Sequence, residues 1–337
     1  MKDAMFYEAM SENRVRCNLC RHRCKIHEGK RGICGVRENR NSTLYSLVYG
    51  KIIAEHVDAI EKKPLFHFLP GSRALSIGTV GCNFHCKHCQ NFDISQYPHE
   101  QGGEIAGQDR TPAQIVASAK AAGCETIAYT YTEPTIFYEF AYDTAVLAQK
   151  EGIKNVFVSN GYMSPAAARE IGPYLDGINV DIKAFTNNFY KEICGARLKP
   201  VLETVQLMKE SGVWVEVTTL IIPGLNDEDQ ELRDIARFLK DIDLNIPWHV
   251  TQFYPTYKLL DRPRTPVPTL RRAREIGMEE GLRYVYEGNV PGEGGENTYC
   301  YACGGLLIER DGLKLIGNRL RDGKCPECGT KIGGVDM

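Results

Sequence analysis

Residues 81–91 read Gly-Cys-Asn-Phe-His-Cys-Lys-His-Cys-Gln-Asn and directly follow a strand-like run over 74–80. Cys82, Cys86 and Cys89 stand at C-x3-C-x2-C, so three thiolates can converge from one loop. A closed structural zinc site takes four protein ligands, and the usual ferredoxin cluster is held by four cysteines. Three thiolates therefore indicate an iron–sulfur cluster that leaves one iron open to a small molecule.

The C-x3-C-x2-C spacing resembles the cluster loop of the radical S-adenosylmethionine (SAM) superfamily. The resemblance implies a 4Fe–4S cluster on Cys82, Cys86 and Cys89, whose open iron chelates the amino and carboxylate groups of SAM. It further implies reductive cleavage of SAM to a 5'-deoxyadenosyl radical that abstracts hydrogen, chemistry that the cofactor carries and the protein positions. The alternative is a zinc loop that borrows His85 or His88 as its fourth ligand.

The composition is that of an ordinary soluble enzyme, with 337 residues, a formal net charge of −2 and 25% charged residues. The polar start over 1–16 does not match a signal peptide, and no apolar run reaches transmembrane length. Thirteen cysteines, most of them in short-spaced groups, favour metal ligation over disulfides. We therefore expect a cytoplasmic protein with no membrane attachment.

A second group of cysteines, Cys17, Cys20, Cys24 and Cys34, stands at C-x2-C-x3-C-x9-C among basic residues. Those cations would offset the negative charge of four thiolates around a metal. We interpret the group as a structural zinc knuckle, with an auxiliary iron–sulfur cluster as the alternative because spacing separates the two poorly. A nucleic-acid site on the basic patch is a weaker alternative, since aromatics at regular intervals are lacking.

From residue 72 onward, strand-like and helix-like segments alternate, which predicts a parallel sheet with right-handed crossovers. The strands that we predict are 74–80, 126–131, 155–159, 177–182, 213–220 and 249–253. The helices that we predict are 112–122, 135–151, 165–174, 199–211, 228–241 and 268–280. Six units indicate an α/β fold, a partial (β/α)6 TIM-like barrel, in which ligand-binding residues gather where strands end.

The ends of three further strands resemble segments that contact SAM in the superfamily. Glu133 resembles the acid of a Gly-Gly-Glu-Pro stretch, which implies a contact with the amino group of SAM. Ser159 and Asn160 are similar to a segment of the pyruvate formate-lyase activating enzymes, and Asp181 and Lys183 to their Asp-x-Lys motif. The alternatives are a helix cap at the first position and a surface ion pair at the last two.

The sequence settles fewer roles for the residues at the end of the barrel. His249 or Gln252, on the sixth strand, is a candidate contact with the nucleoside, whereas no residue is assigned to the hydrogen-abstraction step. The glycine-rich stretch 287–297, which contains Pro291, is either a linker or a loop that folds back over the barrel mouth.

Two C-x2-C pairs close the chain, and each pair is followed by glycine: Cys300 and Cys303, then Cys325 and Cys328. This spacing, with β-rich sequence between the pairs, predicts a zinc ribbon, and a rubredoxin-like iron site is the alternative. A module this small would be folded chiefly by its metal.

Residues 14 to about 303 resemble one branch of the superfamily, the AmmeMemoRadiSam system radical SAM enzymes. Besides the cysteines, the segments that carry the likeness are 61–68, 132–135, 181–183 and 288–292. The resemblance implies Memo-type and Ammecr-type proteins as candidate partners and a reductant such as ferredoxin or flavodoxin.

Three parts follow from these patterns: a cysteine-rich module at 1–70, the barrel at 71–290 and the ribbon-like module at 291–337. Within the first part, two β-rich halves broken at Gly50 predict a small hairpin over 43–54. The leading functional hypothesis is a radical enzyme that abstracts hydrogen from a protein residue or a small molecule. Activation of a glycyl-radical enzyme is a sharper version of it. From another class, a zinc-scaffolded nucleic-acid-binding or RNA-modifying protein is the alternative.

Overall fold

An eight-stranded sheet forms the centre of the computed structural model, which describes residues 1–290 and 292–337. In spatial order its strands are Ala54–Ala59, Arg73–Gly78, Thr126–Tyr129, Lys154–Ser159, Gly177–Asp181, Trp214–Ile221, Trp248–Gln252 and Val285–Gly288. The first strand is antiparallel to its neighbour, and the other seven run parallel. The predicted class, an α/β partial barrel, is confirmed.

Helices connect most of the parallel strands, and local sequence sets where they begin. The α-helices are Phe92–Ser95, Tyr97–Glu100, Pro112–Ala121, Tyr138–Lys150, Pro165–Ile171, Asn187–Phe189, Leu198–Glu210, Asp229–Ile242 and Val267–Glu279. Thr111 and Gln114 form a reciprocal capping box that starts one helix, and Ser164 caps another by accepting from Ala167 N. Short turns of other helix types are Ile60–Lys62, Pro134–Phe137, Gly172–Tyr174 and a π-turn at Tyr190–Cys194.

The sheet is larger than the six-unit prediction in two places. Val285–Gly288 pairs with Trp248–Gln252 as a seventh parallel strand, so the start of the stretch predicted as a linker or loop is in the sheet. Ala54–Ala59 pairs with Arg73–Gly78, so the predicted boundary at residue 70 cuts a strand pair. Both segments are short and mix charge with apolar residues, and it is pairing with a neighbour that makes them strands.

The segment predicted as one hairpin, 43–54, is divided among three sheets, and that prediction is wrong. Thr43–Ser46 pairs with Arg37–Arg40. Lys51–Ile52 pairs instead with Gln108–Asp109, and Ala54 already belongs to the large sheet. The turn at Gly50 has a positive φ of 75°, and its missing Cβ would lie 2.7 Å from Arg110 O, which explains the break in the sequence.

Small antiparallel sheets make up the two ends of the chain. The remaining N-terminal strands are Lys2–Asp3, Tyr7–Ala9, Val15–Cys17 and Lys25–Ile26. The C-terminal module has the strands Thr298–Tyr299, Leu306–Asp311 and Lys314–Asn318. Pro291, within the predicted linker or loop, lies outside the described residues. None of the helices in the described part of the chain combines the length and apolar character that a bilayer crossing requires.

A buried ion pair fastens the C-terminal module to the barrel. Arg310 Nε lies 3.6 Å from Glu61 Oε1, and both side chains are fully buried. The same guanidinium donates to Phe66 O at 2.8 Å and to Thr298 Oγ1 at 2.9 Å, while Glu61 accepts from Gly71 N. Since each charge is buried against the other, neither can be removed alone without leaving the other unpaired.

We therefore expect Arg310→Met to destabilise the docked module by about 3 kcal/mol, because Glu61 would be left as an unpaired buried acid. Urea unfolding followed by circular dichroism measures the loss. Arg321→Met, in an exposed part of the same module, is the matched control and should change stability by less than about 0.5 kcal/mol. Equal effects of the two substitutions would contradict the assignment of the docking to this pair.

Candidate functional site

A cavity of about 600 Å³ opens at the carboxyl ends of the parallel strands. Six of these strands, or the residues directly after them, contribute lining residues: Thr130, Ser159, Asp181, Thr218, His249 and Gly288. Parallel barrels place their ligand sites at this edge, and cavities of roughly 300–1,000 Å³ are typical of small-molecule sites.

The cysteine loop, residues 81–91, forms one wall of this cavity. Cys82, Cys86 and Cys89 all line it; the first two are buried and the third is partly buried. Phe84 N donates to Cys82 Sγ at 3.4 Å, and Cys89 Sγ lies 3.2 Å from Ser95 Oγ. The three predicted sulfur ligands are thus brought to one cavity from one loop.

The backbone of the cysteine loop is held by the π-turn Tyr190–Cys194. His85 N donates to Cys194 O and Lys87 N donates to Ile193 O, both at 2.9 Å. Gly195 ends the turn in the left-handed region, with φ at 72°. The loop therefore takes its shape from a segment about 100 residues later in the chain.

The histidines of the loop do not complete a zinc site with the three cysteines. His85 Nδ1 lies 2.8 Å from Gln96 Oε1 and is engaged there. In the described part of the chain, ligand atoms of His88, Cys86 and Cys194 gather within 4.8 Å, without the other two loop cysteines. His88 is buried with both ring nitrogens unpartnered there, and burial lowers its pKa to about 3, so it faces the site as a neutral imidazole.

Asp181 and Lys183 bring opposite charges to the cavity wall beside the loop. Lys183 Nζ lies 3.1 Å from Asp181 Oδ2, so the ion pair weighed as an alternative is present, but it faces the cavity. Burial opposes the charge on Lys183, yet Asp181 and the Cys86 thiolate together raise its pKa well above the usual value. A fixed cation next to the sulfurs suits an anionic cofactor.

Glu133 does not reach the cavity wall where we predicted it. Its carboxylate is fully buried and accepts from Thr135 N at 3.0 Å, Ser159 Oγ at 2.8 Å and Asn160 N at 2.7 Å, as well as from Thr135 Oγ1. Burial raises the pKa of this carboxyl, and the donors counter that rise. Glu133 therefore positions the Ser159–Asn160 segment, which does line the cavity. The capping alternative is also realised, since Thr135 N is its first partner.

The sixth strand of the prediction contributes His249 but not Gln252. His249 lines the cavity, and its Nε2 lies 2.7 Å from the buried Glu216 carboxylate. Glu216 also accepts from Phe66 N at 3.0 Å and His67 N at 2.8 Å. These bonds tie the loop between the first two strands of the sheet to the barrel. Gln252 donates to a backbone carbonyl behind the strand and does not line the cavity.

Several residues that line the cavity have no role predicted from the sequence. Lys63 and Tyr131 both line the cavity. Lys63 Nζ lies 2.7 Å from the Asp58 carboxylate, and Tyr131 OH donates to the same carboxylate at 2.9 Å. The dense charge and aromatic content of residues 56–68 was the available signal. Leu313, at the tip of the C-terminal hairpin, also lines the cavity, and no sequence pattern predicts that contact because it depends on docking.

A parallel barrel with a three-cysteine loop at its carboxyl edge defines a class of enzymes that hold a metallocofactor at the barrel mouth. The model of the Radical SAM superfamily matches residues 76–239. An uncharacterized protein of Methanocaldococcus jannaschii is 48% identical over 335 residues, which are 98% of this chain and 99% of that protein. The chain belongs to the radical SAM superfamily.

Two further comparisons agree with this membership. A pyruvate formate-lyase-activating enzyme of Clostridium pasteurianum is 24% identical over 65% of this chain and 93% of its own length. The crystal structure of a radical SAM methyltransferase from Sphaerobacter thermophilus matches 71% of each chain with 16% identity and a TM-score of 0.50, which shows a common fold.

Membership implies a 4Fe–4S cluster and SAM, and the residues present suit both. Three cysteines line one open cavity, Lys183 supplies a cation beside Cys86, and the neutral His88 leaves two ring nitrogens unpartnered in the described residues. The cavity extends from the loop across the strand ends, which leaves room for a nucleoside next to a cluster.

Replacing Glu133 by glutamine should destabilise the fold by about 2 kcal/mol, because an amide cannot accept from all four donors and loses the charge assistance. Chemical unfolding of the metal-loaded protein tests this. Glu125→Gln, an exposed acid just before the same strand, is the control and should be neutral. A Glu133 variant as stable as the control would show that the carboxylate does not organise the Ser159–Asn160 segment.

Proposed function

We propose that the protein cleaves SAM reductively in the 600 Å³ cavity and abstracts hydrogen from a protein residue or a small molecule. The observation that supports this is the meeting of the cysteine loop with Asp181, Lys183 and His249 around one cavity. When bound, the 4Fe–4S cluster supplies the electron that splits the sulfonium and yields the 5'-deoxyadenosyl radical.

The residues of the chain would divide the work of binding. Cys82, Cys86 and Cys89 hold the cluster, and the Asp181–Lys183 pair and the segment positioned by Glu133 orient SAM. His249 would contact the nucleoside, and its position on the cavity wall, fixed by Glu216, supports this role. Charged donors and acceptors preset in this way hold a cofactor without reorganisation when it binds.

Cys86→Ala should lose the cluster and reduce formation of 5'-deoxyadenosine from SAM and dithionite to the assay background, while the barrel stays folded. Air-free reconstitution with iron and sulfide, iron analysis and chromatography of the product provide the measurement. Cys124→Ala removes a buried cysteine that lies outside every group and should keep full activity. If Cys86→Ala instead precipitates, the loop carries a structural metal and the proposal fails.

The alternative class predicts different results from the same preparation. A zinc-scaffolded nucleic-acid-binding or RNA-modifying protein would show tightly bound zinc, no 5'-deoxyadenosine and an affinity for RNA that falls with salt. If the wild-type protein forms 5'-deoxyadenosine and Cys86→Ala does not, this alternative is excluded as the function of the cavity.

Activation of a glycyl-radical enzyme is the second candidate function. The similarity to the activating enzyme of Clostridium pasteurianum over 65% of this chain favours it. The narrower AmmeMemoRadiSam assignment draws support from segments 61–68 and 288–292, both of which contribute lining residues such as Lys62 and Asn289. With it come Memo-type and Ammecr-type proteins as proposed partners, and ferredoxin or flavodoxin as the proposed reductant.

We also propose that the C-terminal module binds one zinc ion. Its four sulfurs lie within 4.8 Å of one another, with Cys300 and Cys328 Sγ 3.6 Å apart and Cys303 and Cys325 Sγ 3.7 Å apart. Four Zn–S bonds of about 2.3 Å in a tetrahedron separate the sulfurs by about 3.8 Å. The match favours a single ion at this site.

Cys325→Ser should remove one zinc per chain and loosen the module, so that trypsin cuts it faster, while SAM cleavage continues. Elemental analysis and timed proteolysis check the expectation. Thr330→Ala is the control. The Thr330 hydroxyl lies 3.2 Å from Cys328 Sγ but is not a proposed zinc ligand, so this variant should keep the zinc. A folded variant that no longer cleaves SAM would contradict the structural role of this metal.

A further inference from the structure

The four N-terminal cysteines line a small pocket of about 20 Å³, separate from the main cavity, and Asn83 of the cysteine loop also lines it. Cys17 and Cys34 are buried, while Cys20 and Cys24 are partly exposed, so one side of the site faces the protein interior and the other approaches solvent. Apolar side chains complete the wall: Leu19, Ile26, Ile33 and Ile136. All four cysteines therefore line a single pocket.

The spacing of the sulfurs differs between the two ends of the chain. Among the described residues, the C-terminal cysteines gather within 4.8 Å, whereas no three of the N-terminal cysteines do so. A single zinc ion requires sulfurs about 3.8 Å apart. A cubane cluster spreads its cysteine ligands more widely, because each sulfur binds a different iron. The N-terminal arrangement suits the larger group.

Two buried donors point to the same conclusion. Arg37 Nε and Asn83 Nδ2 are buried without a hydrogen-bond partner in the described residues, and both side chains line the N-terminal cavity. The other two nitrogens of Arg37 donate to Glu139 Oε2 and Met5 O, so Nε is the nitrogen of this group that has no partner among the described residues. Orphaned buried N–H groups are costly, and the inorganic sulfides of a cluster would accept from them.

We propose that Cys17, Cys20, Cys24 and Cys34 hold a second 4Fe–4S cluster. This proposal replaces the zinc knuckle that we favoured from the sequence. The spacing of cysteines along the chain does not give the distance between their sulfurs, and that distance separates zinc from a cluster. Arg37, held in a fixed orientation by Glu139, supplies a buried positive charge beside the site.

The N-terminal site lies one residue away from the main cavity. Cys82 lines the main cavity and Asn83 lines the N-terminal one. His22 Nε2 donates to Asn83 O at 2.8 Å, and Asn83 Oδ1 accepts from Asn160 Nδ2 at 2.7 Å. A Cβ at Gly81 would lie 2.6 Å from Val36 Cγ1, so the two segments are in direct contact. Two paramagnetic centres this close should broaden each other's spectra, an expectation that rests on the proposed function.

Metal analysis of the intact reconstituted chain tests the proposal without any substitution. We expect about eight irons and one zinc per chain, since each cubane carries about four irons. Cys82→Ala/Cys86→Ala/Cys89→Ala should keep about four irons and give an unbroadened electron paramagnetic resonance signal from the N-terminal cluster alone. Cys20→Ser/Cys24→Ser, at the partly exposed side, should likewise keep about four irons, and Cys124→Ser should keep all of them.

The possible failures can be told apart. Two zincs per chain, and no iron in the triple loop variant, would overturn the N-terminal cluster and leave the proposed function intact. Iron that survives the triple loop variant but disappears in Cys20→Ser/Cys24→Ser would support the N-terminal cluster and overturn the proposed function. If Cys20→Ser/Cys24→Ser fails to fold, Arg37→Gln gives a second test, in which the cluster signal should shift while the iron stays; an unchanged signal would contradict the placement of the cluster beside Arg37.

Discussion

The cysteine loop keeps its shape because other segments hold its backbone. Burial raises the pKa of the Cys82 and Cys89 thiols, so gathering three cysteines here opposes the negative charge that their ligand form carries. Backbone hydrogen bonds from His85 and Lys87 to the π-turn fix one side, and the close approach of Gly81 to Val36 fixes the other. Lys183 then offsets part of the charge.

The barrel itself is incomplete, and other segments of the chain cover it. A parallel sheet of seven strands leaves an open edge, and the antiparallel strand Ala54–Ala59 covers one end of it. The following loop is anchored inward by Glu216 through Phe66 N and His67 N, and the Glu61–Arg310 pair brings the C-terminal module against it. The cavity is thus lined by the barrel together with residues from both ends of the chain, such as Phe66 and Leu313.

Local signals in the sequence predicted most of the barrel. Each predicted strand lies within a few residues of an observed one, because buried parallel strands read as short apolar runs between capped helices. The grouping of Cys82, Cys86 and Cys89 with Asp181 and Lys183 around one cavity followed from the rule that strand ends share an edge.

The features that the sequence did not predict have a common physical origin in contacts between distant segments. Glu133 was expected at the cavity because its strand ends there. Only the structure shows that the Glu133 carboxylate accepts hydrogen bonds from Ser159 Oγ and Asn160 N. Val285–Gly288 carries a charge and a glycine and becomes a strand only through its neighbour. Leu313 reaches the cavity because Arg310 docks its module, and no period in the sequence encodes such docking.

Leu313 lies at the tip of the C-terminal hairpin, outside the barrel, yet it forms part of the cavity wall. The width of the opening therefore depends on how firmly this module is held against the barrel, and the buried Glu61–Arg310 pair holds it there.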